Sequence, residues 1–529
     1  MKKRQIIGQT DAVALPVDPT GVPNLDVILG GGLPRRALVI VAGVPGSGKT
    51  TLANQIAFHA AQSQQRVLVL TALSEPTDKL IGHLRTHDFF AESLVGDEIQ
   101  FLSMQQFLKD ESTAINDDIL SLARQARVKL VVLDGFRSIR ESVDDPRLVR
   151  YFLYELGAKL GLLGITTIIT SEADPRDAAF FREATTADII IGMHYHLVGM
   201  RHQRAIEVIK MRGAALLPGL HGVSVDKSGI YVAPRLESIV QKGSLLTAGL
   251  TNDAEGDEQP AGRASFGLPE LDALLDGGLP VPTSTILTGS SGTGKTLLAL
   301  NFAVQGVRMG EPTVLVSLRE SRQQLQRKAD GFTIGAELRE ALHPGGLLTM
   351  LRWPPVDLDP DIIANQILGA IDRVGARRLV FDGLTDLEHA VLRSSDAGRV
   401  SDFFAALFES LLTRHVTSLF VSERQQASTA NLNFLEHPIS FLAENLLLLQ
   451  QMSHLTESRR TLSIIKMCFS AHNFMDRDFV ISAPEGIRVL GLVESGDGVV
   501  SATKQQVGMT DQRGVAPINE AARQQAGAE

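Results

Sequence analysis

Two glycine-rich loops ending in Lys-Thr carry the clearest chemistry in this sequence. Gly43-Val44-Pro45-Gly46-Ser47-Gly48-Lys49-Thr50 is one, and Gly289-Ser290-Ser291-Gly292-Thr293-Gly294-Lys295-Thr296, 246 residues on, is the other. Each follows an apolar, strand-like run and opens an apolar-periodic helix, the context that makes the pattern a phosphate-binding loop. Such a loop acts through its backbone. Glycines let successive N–H groups converge on phosphate oxygens, and the helix N-terminus adds positive dipole. The lysine reaches the β- and γ-phosphates and the threonine hydroxyl serves Mg2+. Gly46, Ser47, Gly48, Lys49, Thr50 and Thr51 are therefore expected to hold one nucleoside triphosphate. Gly292, Thr293, Gly294, Lys295, Thr296 and Leu297 are expected to hold a second.

Carboxylates and cations stand at matched places around both loops. Asp134 and Asp382 each end an apolar run, where a carboxylate can share Mg2+ with Thr50 or Thr296. Glu75 and Glu320 are read at the end of the strand that follows the loop helix. A general base for the attacking water belongs there, although Glu75 could equally start the next helix with Pro76 in its first turn. Arg319 is expected to pair with Glu320 or to compete with the metal. Lys210 and Arg212 share one face at the end of a strand. They could cap a neighbouring subunit's γ-phosphate, a contribution of about 10³–10⁵ in rate for an arginine finger, or be solvated residues of an edge strand. The second half has Lys466 but Cys468, and a thiol makes no bidentate contact with phosphate. The second site is thus expected to hydrolyse more slowly or only to hold nucleotide. His194 and His196 share a strand face with no third ligand and read as ordinary strand residues. Arg201-His202-Gln203-Arg204 reads as a solvated hairpin tip.

The elements that must position these groups repeat as well. Gly31-Gly32-Leu33-Pro34 returns as Gly277-Gly278-Leu279-Pro280, and Thr170-Ser171-Glu172 as Val421-Ser422-Glu423. The offset drifts only from 245 to 256, the pattern of a duplicated domain. The expected division is a first domain over 1–247, an acidic linker over 248–262, a second domain over 263–495 and a disordered tail over 496–529. Within each half, short Val/Ile/Leu runs alternate with amphipathic stretches such as Asp145 to Gly164. That alternation predicts an α/β fold with a mostly parallel sheet buried on both faces. The end of the first half reads as antiparallel strands over Ala187 to His196, Arg204 to Arg212 and Gly222 to Val232.

Composition narrows the function classes. The net charge of −9 and the 5% aromatic content argue against a nucleic-acid partner. The single cysteine, Cys468, excludes an intrachain disulfide and fits a reducing, cytoplasmic setting. No apolar h-region follows the basic start, and no run approaches the roughly 18 apolar residues of a membrane span.

Three ordered segments add a family resemblance. They are Gly30-Gly31-Gly32-Leu33-Pro34, Glu207-Val208-Ile209-Lys210-Met211-Arg212-Gly213, and Leu449-Gln450 ahead of Ile464-Ile465-Lys466-Met467. Over about residues 10–490 the chain resembles the KaiC family, a RecA-superfamily group of double-domain ATPases. The resemblance implies two tandem RecA-like P-loop ATPase domains in a homohexameric double ring, with ATP and Mg2+ between subunits. It places the family's trans-acting cations on Lys210 and Arg212, and implies slow hydrolysis in the first ring and Ser/Thr autokinase chemistry in the second. This chain departs from the pattern where two adjacent glutamates are usual. It has Ser74-Glu75 and Arg319-Glu320. Where clock members carry adjacent Ser and Thr acceptors, it has Ser440 and Phe441, so only Ser440 remains a candidate phosphoacceptor. The implied function is an ATP-driven signalling switch, with any protein partner engaging the C-terminal tail. The alternatives are a DNA-handling motor and a non-hydrolysing scaffold.

Overall fold

A computed structural model describes residues 16–71, 77–104, 112–137, 140, 146–177, 184–198, 200–247, 262–394, 398–423, 438–454, 457–468 and 476–492. Glu75, nearly all of the acidic linker and the C-terminal tail lie outside these residues.

Each half is built on a nine-stranded sheet. The first contains β1 (Leu38–Gly43), β2 (Val67–Thr71), β3 (Ile99–Ser103), β4 (Leu130–Asp134), β5 (Thr166–Ser171), β6 (Ile189–Val198), β7 (Arg201–Met211), β8 (His221–Asp226) and β9 (Gly229–Ala233). The second contains β10 (Ser284–Gly289), β11 (Thr313–Ser317), β12 (Leu348–Arg352), β13 (Arg378–Asp382), β14 (Thr417–Glu423), β15 (Asn445–His454), β16 (Glu457–Met467), β17 (Arg477–Ser482) and β18 (Gly486–Leu492). The spatial orders are β3-β2-β4-β5-β1-β6-β7-β8-β9 and β12-β11-β13-β14-β10-β15-β16-β17-β18. They correspond strand for strand, so the duplication read in the sequence is a duplication of topology.

Alternation explains why such apolar runs form central strands. Side chains on a strand point to opposite faces in turn. In β1, Val39 and Val41 join the core beneath helix α1 (Lys49–Gln62), with Leu52 and Ile56. Leu38, Ile40 and Ala42 join the opposite core, with Leu153, Leu156 and Leu160 of helix α2 (Pro146–Leu162). In the second half, Leu287 packs with Phe302 of helix α4 (Lys295–Arg308), whereas Ile286 packs with Phe403 and Leu407 on the other face. With both faces covered by helices, six strands run parallel from β3 to β6, and from β12 to β15.

Some expected elements differ. The stretch Gly222 to Val232 is two strands, β8 and β9, because Gly229 at a positive φ of 103° closes a hairpin. Strand β6 is antiparallel only towards β7 and runs parallel to β1. Strand β7 is interior, since β8 pairs with it at Arg204–Ile206. Strand β11 stops at Ser317, and Glu320 stands three residues beyond it.

The halves meet where α3 (Leu236–Thr247) leaves the first sheet. Leu236 is buried in a core of the second half, and Asn365 donates to Pro234 O at 2.8 Å. Beside them Arg399 binds Glu237 at 2.7 Å and Asp361 at 2.6 Å. Burial pushes Asp361 up to about 6 against the pull of Arg399, so this carboxyl depends on its cation. Removing that cation leaves two carboxylates buried. Arg399→Ala is expected to cost about 3–5 kcal/mol in urea unfolding. Arg414→Ala, which breaks a more exposed pair with Asp372, is expected to cost about 1 kcal/mol or less. Equal losses would show that the cluster does not tie the halves together.

Candidate nucleotide sites

Both loops lie at the carboxyl edge of their sheets, directly after the central strand β1 or β10. Their conformation requires glycine. Gly48 and Gly294 cap the following helices at φ of 103° and 102°, in the left-handed region that L-residues with side chains avoid. A Cβ on Gly294 would also lie 2.6 Å from Ile481 Cδ1. The backbone is thereby turned so that the N–H groups of the first helical turn face the loop's concave side, a ready-made anion site.

Lys49 and Lys295 are 7% and 8% exposed, and each returns over its own loop. Lys49 Nζ donates to Val44 O at 3.0 Å and Lys295 Nζ to Ser290 O at 2.6 Å. Burial lowers both ammonium pKa values; the carboxylates of Glu172 and Asp134, and of Glu423 and Asp382, pull them back up. Arg319 presses Lys295 further down.

Hydroxyl and carboxylate meet beside each lysine. Thr50 Oγ1 donates to Asp134 at 3.1 Å and Thr296 Oγ1 to Asp382 at 3.0 Å. Burial raises the Asp382 pKa, the Thr296 hydrogen bond opposes the rise, and the charge of Glu320 adds to it. The hydroxyl–carboxylate pair is a donor set suited to Mg2+ or its water shell. The Ser47 hydroxyl is buried with no hydrogen-bond partner, as is Glu320 Oε2. These orphaned atoms, together with the glycine cradle, fit a polyphosphate and its cation. Among the described residues no group of three His, Cys, Asp or Glu could hold a metal by itself. His194 is instead paired with Glu207 across β6 and β7 at 2.7 Å.

Several side chains lie differently from the sequence reading. Arg319 does not pair with Glu320. It binds Asp386 at 2.7 Å and also Glu423, while Glu320 accepts from Lys328. The reason is reach: the residues after Ser317 turn back, bringing Glu320 N to within 3.0 Å of Ser317 Oγ and leaving Arg319 to extend across the sheet edge. Lys210 is not a solvated edge residue. Its ammonium donates to Thr185 O at 2.7 Å and Ala187 O at 2.6 Å, and Lys466 makes the equivalent bonds to Phe441 O at 3.2 Å and Ala443 O at 2.7 Å. Arg212 is 59% exposed, with one contact of 3.3 Å to Asp188. Ser440, in the helix Pro438–Leu442, is 8% exposed, whereas Phe441 is 62% exposed.

Four further residues stand beside the first site, two of them, Thr170 and Glu172, in a segment that recurs in the second half. Thr170 donates to Asp134 at 2.5 Å, a second hydroxyl that Asp382 lacks because Val421 stands in the matched place. Arg204 is no solvated tip: it donates to Gly46 O at 3.1 Å and lies over the Tyr195 ring, which itself backs Gly46. Glu172 is paired with Arg137 at 3.4 Å. Only strand register brings these residues to the loop.

Known proteins are similar to this chain in sequence. The family model for the KaiC ATPase matches residues 18–237 and again 264–494. The chain is 27% identical over 474 residues to the circadian clock oscillator protein KaiC of Picosynechococcus sp., covering 88% of this chain and 87% of that one. It is 25% identical over 510 residues to the protein of the same name from Acaryochloris marina, covering 94% and 93%. It is 26% identical over 474 residues to the circadian clock oscillator protein KaiC 1 of Synechocystis sp., covering 88% and 87%. With the family model matched once on each nine-stranded sheet, the chain belongs to the KaiC family of ATPases.

Proposed function

We propose that this protein is a cytoplasmic, ATP-driven regulatory switch working as a homohexameric ring. In this reading the first half hydrolyses Mg-ATP slowly and the second mainly holds ATP. The observation that supports it most is the unequal equipment of two otherwise matched cradles. The first has Thr170 on Asp134 and an exposed Arg212. The second has Val421 and Cys468 in those places, and commits one Glu320 oxygen to Lys328.

Gly46, Ser47, Gly48, Lys49, Thr50 and Thr51 bind the triphosphate of the first site, and Gly292 to Leu297 that of the second. Thr50 with Asp134, and Thr296 with Asp382, hold Mg2+, which supplies charge neutralisation of the phosphates. Glu75 orients the attacking water in the first half, and Glu320 is the matching carboxylate in the second. Lys210 holds the turn at 185–188 with two of its three donors, and Arg212, one residue past β7, reaches a neighbouring subunit's phosphate. Lys466 keeps the carbonyl-holding part of that task. Loss of the γ-phosphate then alters loop order and partner affinity. We assign no kinase step to Ser440, because a hydroxyl buried in a short helix must first be exposed to accept a phosphoryl group.

Phosphate release separates the two sites. Lys49→Ala is expected to remove most turnover and Lys295→Ala to leave most of it; equal losses would contradict the unequal roles. The trans role of Arg212 is tested by mixing. Arg212→Ala alone is expected to lower turnover by about tenfold or more. Co-assembly of Arg212→Ala with Lys49→Ala subunits is expected to restore part of the rate, since some interfaces then combine an intact loop with an intact arginine. Mixtures no faster than either variant alone would reject action between subunits.

A further inference from the structure

The geometry points to Arg319 as the residue by which the second cradle distinguishes a triphosphate from a diphosphate. The inference rests on the reading that the second half holds ATP, and concerns one side chain whose position the first half does not reproduce.

The path of Arg319 across the sheet carries the argument. It leaves the chain just beyond the carboxyl end of β11 and forms a fork with Asp386, Nε at 2.7 Å and Nη2 at 3.2 Å from the two carboxylate oxygens. Asp386 belongs to the helix Leu384–Ser394 that follows β13. The remaining arm, Nη1, continues to Glu423 at the end of β14. Strands β11, β13, β14 and β10 are neighbours in that order, so the guanidinium lies across the edge above Asp382 and ends one strand from the phosphate loop. Glu423 is itself in register with Gly289, the first residue of that loop, and hydrogen-bonds Ser291 within it. A fixed cation therefore stands at the mouth of the cradle, on the side where Asp382 and Glu320 gather negative charge.

Two consequences follow for a bound nucleotide. Without Arg319, Glu423 would be an unpaired carboxylate beside the loop, repelling the terminal phosphate most strongly. With it, that carboxylate is neutralised by a permanently charged guanidinium that Asp386 holds in place from the other side, so the triphosphate end meets less negative charge. The loop's N–H groups serve the α- and β-phosphates and Lys295 the β- and γ-phosphates, so a diphosphate, which places no γ-phosphate near Glu423, has less use for this cation. In the first half Glu172 takes its arginine from the end of the adjacent strand, from Arg137 after β4, and not from the strand beyond it. Arg319 is 47% exposed and belongs to no apolar core cluster, so its replacement leaves the core intact.

The test is photolabelling of the full-length protein with azido-ATP or azido-ADP in the presence of Mg2+ and excess unlabelled competitor, followed by peptide mapping of each half. In Arg319→Ala, triphosphate labelling of the second half is expected to weaken about tenfold and diphosphate labelling less than about threefold. First-half labelling is expected to stay unchanged. Arg319→Lys, which keeps a cation without the fork, is expected to retain part of the preference. An equal loss of both nucleotides, or an unaltered preference in both variants, would overturn the role of Arg319 and leave the two-cradle reading standing. Absence of any second-half label in the unaltered protein would overturn both.

Discussion

The molecule is organised around a lysine buried at the end of each sheet, close to a strand end that carries an aspartate. Lys49 and Lys295 are almost fully enclosed, yet each ammonium is met by a single carbonyl of its own loop. The facing carboxylates, Asp134 and Asp382, are met by threonine hydroxyls. Burial of ionised groups is costly, and the cost shows in the lowered lysine and raised Asp382 pKa values. In the proposed function a ligand carrying both signs, phosphate oxygens and a divalent cation, fills the gap between them. The rest of the fold serves this constraint. Six parallel strands covered by helices on both faces fix the strand ends, and the glycines at the turn fix the N–H groups.

Duplication preserved that frame and relaxed its periphery. The strand order, the loop glycines, the Lys–carbonyl bonds of Lys210 and Lys466, and the Thr–Asp pairs all recur. What changed is the set of groups that would act on a γ-phosphate or on water. Thr170 is matched by Val421, Arg212 by Cys468, and the Arg137–Glu172 pair by Arg319 with Asp386 and Glu423. In the proposed function the second cradle thus keeps the means to bind and alters the means to cleave. The Arg399 cluster and Leu236 join the two halves through buried contacts, so a change of nucleotide state in one half has a packed route to the other.

Much of this was legible in the sequence because it depends on local rules. The two loops, the apolar strands with their terminal aspartates and the alternation of strand and helix follow from residue spacing alone. Strand ends were less legible. Nothing in the sequence stops β11 at Ser317, and the turn that follows sends Arg319 to Asp386, 67 residues away. The hairpin at Gly229 did have a signal, the polar turn cluster Asp226-Lys227-Ser228-Gly229 inside the stretch read as one strand. Tyr195 and Arg204 were missed for a different reason: their place beside Gly46 comes from the antiparallel register of β6 with β7, which composition does not encode.

The central claim is that each chain contains two working phosphate cradles. Calorimetric titration of the nucleotide-free protein with a non-hydrolysable ATP analogue and Mg2+ tests it most directly. The account predicts two nucleotides bound per chain. A stoichiometry of one, or none, would contradict it.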